Sequence, residues 1–219
     1  MPKVVDPGAR RLQVVEAVFR VVVRDGLQRA SLRVVADEAG LNIGSVRHYF
    51  ADQQELMRFA MTAMLERVAA RITARVASLG QVASRSREER VGIAADILGQ
   101  LLPLDRERGA EVTVFLDFVL AARTNPAFAD LARRSADGTR QLIRRILAGL
   151  NPHADLDLET ERLAALVDGL SLNGVLQPGL LDPATAAAAL RRHLDQVSRA
   201  EAPAGRAGVG RAEANDPSG

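Results

Sequence analysis

The sequence predicts an all-α protein of about nine helices. Three observations carry that prediction. Apolar residues recur at three- and four-residue intervals along most of the chain. Caps and breakers punctuate those runs, among them Gly26, Gly40, Pro103, Pro126, Pro178 and Pro183. No stretch sustains the strict alternation of a half-buried strand. The β-branched runs "RVVVRDG" and "EVTVFLDFVL" fall within helical periodicity and within a long capped segment, so both read as helix.

The elements follow in order. Asp6-Pro7 supplies a cap and a first-turn proline, Leu12, Val15, Phe19 and Val22 form one face, and Gly26 closes the first helix. Ser31 caps a short helix that ends at Gly40, and Asn42 caps another that ends near Phe50. Asp52 with Glu55 resembles a capping box and opens a long helix. Its stripe is Leu56, Ala60, Met64, Val68, Ile72, Val76 and Leu79, with Arg67, Arg71 and Arg75 alongside. "SREE" (Ser86 to Glu89) is a second capping box, and that helix stops before Pro103. Asp105 to about Thr124 is a further helix. Asn125-Pro126 restarts the chain, which stays helical to about Gly149. "NPHADLD" is a loop. Asp157 then caps a helix ending at Gln177, and Asp182-Pro183 start the last one, to about Ala200. Residues 201–219 are rich in Gly, Ala and Pro without apolar periodicity and read as a disordered tail.

Composition removes several function classes. The 219 residues are 47% hydrophobic, ample for a core. The absence of Cys excludes a disulfide framework, thiol catalysis and Cys-ligated metal. No apolar run approaches the roughly 20 residues that a membrane span needs, and the start is not a secretory signal. The expectation is a soluble cytoplasmic protein with no membrane partner, no cofactor and no metal. His48, His153 and His193 lie far apart in sequence, with no HxxxH pair and no GxxxxGK[ST] loop, so an enzyme is not expected. The formal charge is only +2, so a nucleic-acid partner must be argued from local placement. The first 50 residues hold eight basic and five acidic side chains, a surplus of +3 that leaves −1 for the remainder.

Local placement points to one stretch, "AGLNIGSVRHYFADQQEL" from Ala39 to Leu56. It holds the only Tyr of the chain and one of its three His. The helix from Ser31, the turn at Gly40-Leu41 and the helix from Asn42 make a helix-turn-helix. Ala36 is small where the two helices meet, Gly40 suits a turn of positive φ, Gly44 permits close approach, and Val46 faces back. A plain corner between two helices explains Ala36, Gly40 and Val46 equally well. It does not explain Asn42, Ser45, Arg47, His48 and Tyr49, all hydrogen-bonding, where a solvated face carries Glu and Lys.

On these residues the chain resembles the tetracycline-repressor (TetR) family of transcription regulators. The resemblance is strong from about Arg10 to Phe59. It rests on Gly26, Ser31, Val35-Ala36, Ala39-Gly40-Leu41-Asn42, Gly44, Arg47, Tyr49-Phe50, Gln53 and Leu56. Ser31 for a family Thr and Asn42 for a family Ser keep the capping chemistry. Arg47 stands for a common Tyr, and Gln53 for a common phosphate-touching Lys. "VRHYF" with a following Gln, and "LVDGLSLNGVLQPGLL" downstream, resemble the betaine/choline-repressor subgroup.

The resemblance implies a helix-turn-helix DNA-binding domain over 1–51 and a ligand-binding and dimerisation domain over 52–200. It implies a sequence-specific regulator, a repressor released from a palindromic double-stranded operator by a small-molecule effector. The DNA-binding set is Arg29, Ser31, Arg33, Asn42, Ile43, Gly44, Ser45, Arg47, His48 and Tyr49. The recognition helix would enter the major groove N-terminus first. Arg47 suits guanine or phosphate. Arg29 and Arg33 flank a helix N-terminus that can seat phosphate, though Arg29 reads equally as a solvated side chain.

The rest of the chain is expected to bind an effector and a second copy of itself. Gly169, Ser171, Gly174 and Ala186 to Ala189 are small residues on the last two helices. With Leu163, Leu166, Leu170, Leu190, Leu194 and Val197 they suit a four-helix homodimer interface, or packing within one monomer. Phe115, Asp117, Phe118 and Asn173 are the candidate effector residues. The subgroup resemblance suggests choline. An aromatic cage for quaternary ammonium is poorly supplied here, because Trp is absent and Tyr49 belongs to the recognition helix. A hydrophobic or amphipathic effector fits better. The alternative is a helical small-molecule-binding or interaction protein that never touches DNA, for which Gln53 is the best argument.

Overall fold

The computed structural model describes residues 7–177 and 179–200, and the regular structure among them is helical. The helices are α1 (Pro7–Asp25), α2 (Leu32–Ala39), α3 (Ile43–Tyr49), α4 (Gln53–Ala77), α5 (Arg87–Leu98), α6 (Arg106–Ala122), α7 (Ala129–Leu150), α8 (Leu156–Leu176) and α9 (Pro183–Arg199). Short 3-10 turns at Leu27–Arg29, Gly99–Leu101 and Pro126–Phe128 join some of them. The cap expected at Asp6 and the tail over 201–219 lie outside the described residues.

Side-chain caps set the starts. Ser31, Asn42, Asp52, Ser86, Asp105 and Asp182 each accept the backbone N–H three residues on, which satisfies a donor that the first helical turn leaves free. Ser86 and Glu89 complete a reciprocal box. At α4 the box is displaced by one residue, since Glu55 accepts from Ala51 N at 2.8 Å. One start differs from expectation. Asp155, not Asp157, caps α8, and Asp157 is drawn into an ion pair with Arg144.

Two hydrophobic cores result. The first gathers α1, α2, α3 and the front half of α4 around Val18, Val21, Val46, Leu56 and Met61, and takes in Val114 and Phe118 of α6 with Phe128 and Leu131 beyond. The second joins α5, α7, α8 and α9 around Leu98, Ile143, Leu147, Leu163, Leu190 and Leu194. Phe118 is fully buried and meets Phe128 edge-on, ring centroids 5.8 Å apart. Helix α6 therefore ends inside the core that carries the helix-turn-helix.

Neighbours decide which face of each helix is inner. On α1 the inner face is Val14, Val15, Ala17, Val18, Val21 and Val22, while Leu12 is 51% exposed. That face is broad because α2, α4 and α6 all pack on α1. The α4 stripe is buried at Leu56, Ala60 and Met64 but emerges at Val76. The rear of α4 is held instead by Arg71, whose guanidinium grips Glu111 of α6 at 2.9 and 2.7 Å and also donates to the Gln100 carbonyl. Glu111 is buried, and a buried carboxylate is tolerable only with such a partner.

Candidate nucleic-acid interface

The turn between α2 and α3 is built by backbone bonds. Gly40 takes a left-handed conformation at φ 67°, Leu41 N donates to the Ala36 carbonyl at 2.9 Å, and Gly40 N to the Asp37 carbonyl at 3.1 Å. This is a Schellman closure, and glycine supplies its positive φ without strain. Asn42 then opens α3, its Oδ1 accepting from Ser45 N at 2.8 Å. A Cβ on Gly44 would lie 3.2 Å from that same oxygen. Gly44 thus clears space for the cap, apart from any approach to DNA. Val46 is fully buried and locks α3 onto the first core. Asn42→Ala is expected to lower stability by about 0.5–2 kcal/mol, while Asn42→Ser, which still caps, stays near wild type. Chemical denaturation followed by circular dichroism measures both.

Helix α1 fastens the other ends of the motif. Gln13 Nε2 donates to the Ala39 carbonyl at 2.9 Å, and Arg11 Nη2 to the Tyr49 carbonyl at 3.3 Å. The Arg11 guanidinium also sits 4.9 Å from the Phe59 ring and 5.4 Å from that of Phe50. A cation at the C-terminal carbonyls of α3 matches the helix dipole. Arg11 and Gln13 were not singled out from sequence, where they read as ordinary polar residues beside an apolar stripe.

Exposure sorts the predicted DNA-binding residues. Arg29, Arg33, Asn42, Ile43, Gly44, Arg47 and His48 are exposed; Ser31, Ser45 and Tyr49 are half-buried. Tyr49 leans on the first core, and the His48 ring stands edge-on to it at 5.1 Å. Two of these residues also serve the fold: the Ser31 hydroxyl accepts from Val34 N, and Asn42 spends its oxygen on Ser45, leaving its amide N–H groups outward.

Charge separates along the same lines. Arg20 and Arg24 both bind Glu38, at 2.7 and 2.8 Å. Hydrogen bonds from Arg20, then from Arg24, hold the Glu38 carboxyl below its usual range. Asp25 also pairs with Arg24 at 2.8 Å, so the two cations face two carboxylates and are neutralised. Arg29, Arg33 and Arg47 have no carboxylate or hydrogen-bond partner among the described residues. Positive charge without a carboxylate partner among the described residues therefore lies on the turn before α2, on α2 and on α3, and at the start of α1, where Arg10 and Arg11 bond neutral oxygens. This arrangement offers phosphate contacts around a short helix whose N-terminal residues stand clear.

The expected effector residues lie in different surroundings. Phe118 is core and Phe115 packs against the same core. Asp117 Oδ2 accepts from Leu27 N at 3.0 Å, and Asn173 is exposed on α8. Helix α6 turns its aromatic side into the first core, away from the exposed position of Asn173 on α8. An open groove of about 380 Å³ lies instead among Asp96, Leu104, Arg108, Ala188 and Arg191, where α5, α6 and α9 meet.

The expected dimer stripe is likewise spent inside one chain. Leu163, Leu170, Leu190, Leu194 and Val197 are buried in the second core, and Leu166 packs on it. A Cβ at Gly174 would lie 2.7 Å from the Pro103 ring of the same chain. The apolar face left outward comprises Leu158 (56% exposed), Leu172 (43%) and Leu176 (62%) of α8, with Leu180 (77%) just beyond. Helix α8 is apolar on two sides, so periodicity alone did not separate inner from outer.

Known proteins resemble the whole arrangement. A family model described as "BetI-type transcriptional repressor, C-terminal" matches residues 93–199. The HTH-type transcriptional regulator PksA of Bacillus subtilis (strain 168) is 34% identical over 203 residues, covering 90% of this chain and 94% of its own. A transcriptional regulator from Rhodococcus sp. Rha1 has a similar structure, with a TM-score of 0.74 and 28% identity over 85% of this chain and 95% of that one. The multidrug binding protein EbrR, solved with ethidium, gives a TM-score of 0.60 and 28% identity over 86% of this chain and 99% of its own.

Proposed function

The chain belongs to the TetR family of helix-turn-helix transcriptional regulators, and from that premise we propose that it is a cytoplasmic repressor that leaves its operator when a small molecule binds. The observation that carries this reading is the unpaired trio Arg29, Arg33 and Arg47 around a capped, exposed α3, beside Arg20 and Arg24, which Glu38 and Asp25 pair. Residues 1–51 serve as the DNA-binding unit and 52–200 as the effector and dimer unit. Two copies pair through the outward face of Leu158, Leu172, Leu176 and Leu180, and a two-fold dimer matches a palindromic site. The effector is a hydrophobic or amphipathic molecule. The ethidium complex of EbrR supports this, as that relative binds a flat, largely apolar cation.

An electrophoretic shift on the promoter next to the protein's own gene tests the reading. A shift that resists competition by unrelated duplex, and weakens steeply with salt, is the expected result. Equal competition by unrelated duplex would favour a ligand-binding protein without operator recognition.

A further inference from the structure

Helix α6 is tied to α4 and to the turn after α1 through two carboxylates. Near its start, buried Glu111 is held by Arg71 of α4. Six residues on, at about 9 Å along the helix axis, Asp117 accepts from Leu27 N at 3.0 Å. Among the described residues, Asp117 is the one residue beyond α4 whose side chain hydrogen-bonds to any of residues 9–51.

The bond falls at a sensitive place. Gly26, at φ 82°, turns the chain out of α1, and a Cβ there would lie 3.9 Å from the Asp117 carboxylate. Leu27 is nearly buried and begins the 3-10 turn that delivers Arg29, the cap Ser31 and then α2. The backbone bonds of this turn run from Arg29 N to Gly26 O and from Ala30 N to Leu27 O, so the amide of Leu27 relies on Asp117. A buried amide without a partner is costly, so the turn is held against α6 rather than free to tilt.

We propose that Asp117 is a positioning residue for DNA binding: through the Leu27 amide it sets where the turn bearing Arg29, and hence α2 and α3, stand relative to α6. It touches no DNA itself. The inference rests on the operator-binding reading above.

The test uses the full chain and the duplex that the wild type enriches from a random-sequence pool. Asp117→Ala is expected to bind that duplex about tenfold more weakly, the worth of one good hydrogen bond in each of two heads. Its preferred bases should match wild type, since Asp117 itself reads no base. Asp117→Asn retains an acceptor and should recover most of the affinity. Phe118→Leu, which loosens the same helix without touching Leu27, should lower the melting temperature but leave affinity within about threefold. Should Asp117→Ala not fold, the near-isosteric Asp117→Leu carries the same expectation. Affinity equal to wild type, or a loss no larger than that of Phe118→Leu at matched melting temperature, overturns the proposal alone. A wild type that enriches no duplex overturns the operator reading and this one together.

Discussion

Replacing both Leu172 and Leu176 by Glu is expected to yield a monomer that no longer holds its operator. Both side chains lie outward on α8, four residues apart and on the side of Leu158, with Leu180 extending the patch. Exposed leucines gathered at one helix end, Leu172 and Leu176 with Leu180 just beyond, are unusual for a surface that meets only water. Burying each is worth about 1.5–3 kcal/mol, and a two-fold axis counts every one twice. The substitution removes that gain and places four carboxylates together. Monomeric heads also lose the effective concentration that links two half-sites, about 10²–10⁴ in affinity. Sedimentation velocity and an electrophoretic shift report the two effects separately. Neither leucine belongs to the second core, so the monomer should still fold, with a melting temperature that is lower than that of the wild-type dimer and independent of protein concentration. An unchanged dimer in the centrifuge would remove this face from consideration.

Arg47→Ala weakens operator binding by about 1–3 kcal/mol per head if Arg47 reads a base, and one operator position then loses its preference. If Arg47 touches only phosphate, affinity falls evenly across sequences, and the salt slope drops by roughly one per head. Stability should barely move, because the side chain is exposed and has no partner among the described residues. The contrast with Val46 is instructive. One residue earlier on α3, that side chain is fully enclosed, and its removal would act on the fold. Should Arg47→Ala leave binding intact but destabilise the protein, α3 is not the reading helix.

Much of the fold is legible in the sequence because caps act locally. Ser31, Asn42, Ser86, Asp105 and Asp182 each bond an amide three residues away, so a short window holds the whole cause. The helix-turn-helix is legible for the same reason: Gly40, Asn42 and Val46 act within one supersecondary unit, and the residues left over are the polar ones. The 3-10 turn at Leu27 was not legible, since its bond partner lies 90 residues along the chain.

By itself, the sequence determined the helices, their polarity and the motif that faces DNA. The tertiary structure decided which side of each helix is inside. Periodicity shows that a stripe is apolar, but burial depends on which helix arrives there. Thus α8 spent Leu163 and Leu170 on its own core and left Leu172 and Leu176 outside. Likewise Phe118 lies in the first core, and Asp117, named as an effector candidate, accepts from a backbone amide. Those outcomes are non-local: each is set by the partner that packing delivers, and no short window of sequence contains that partner.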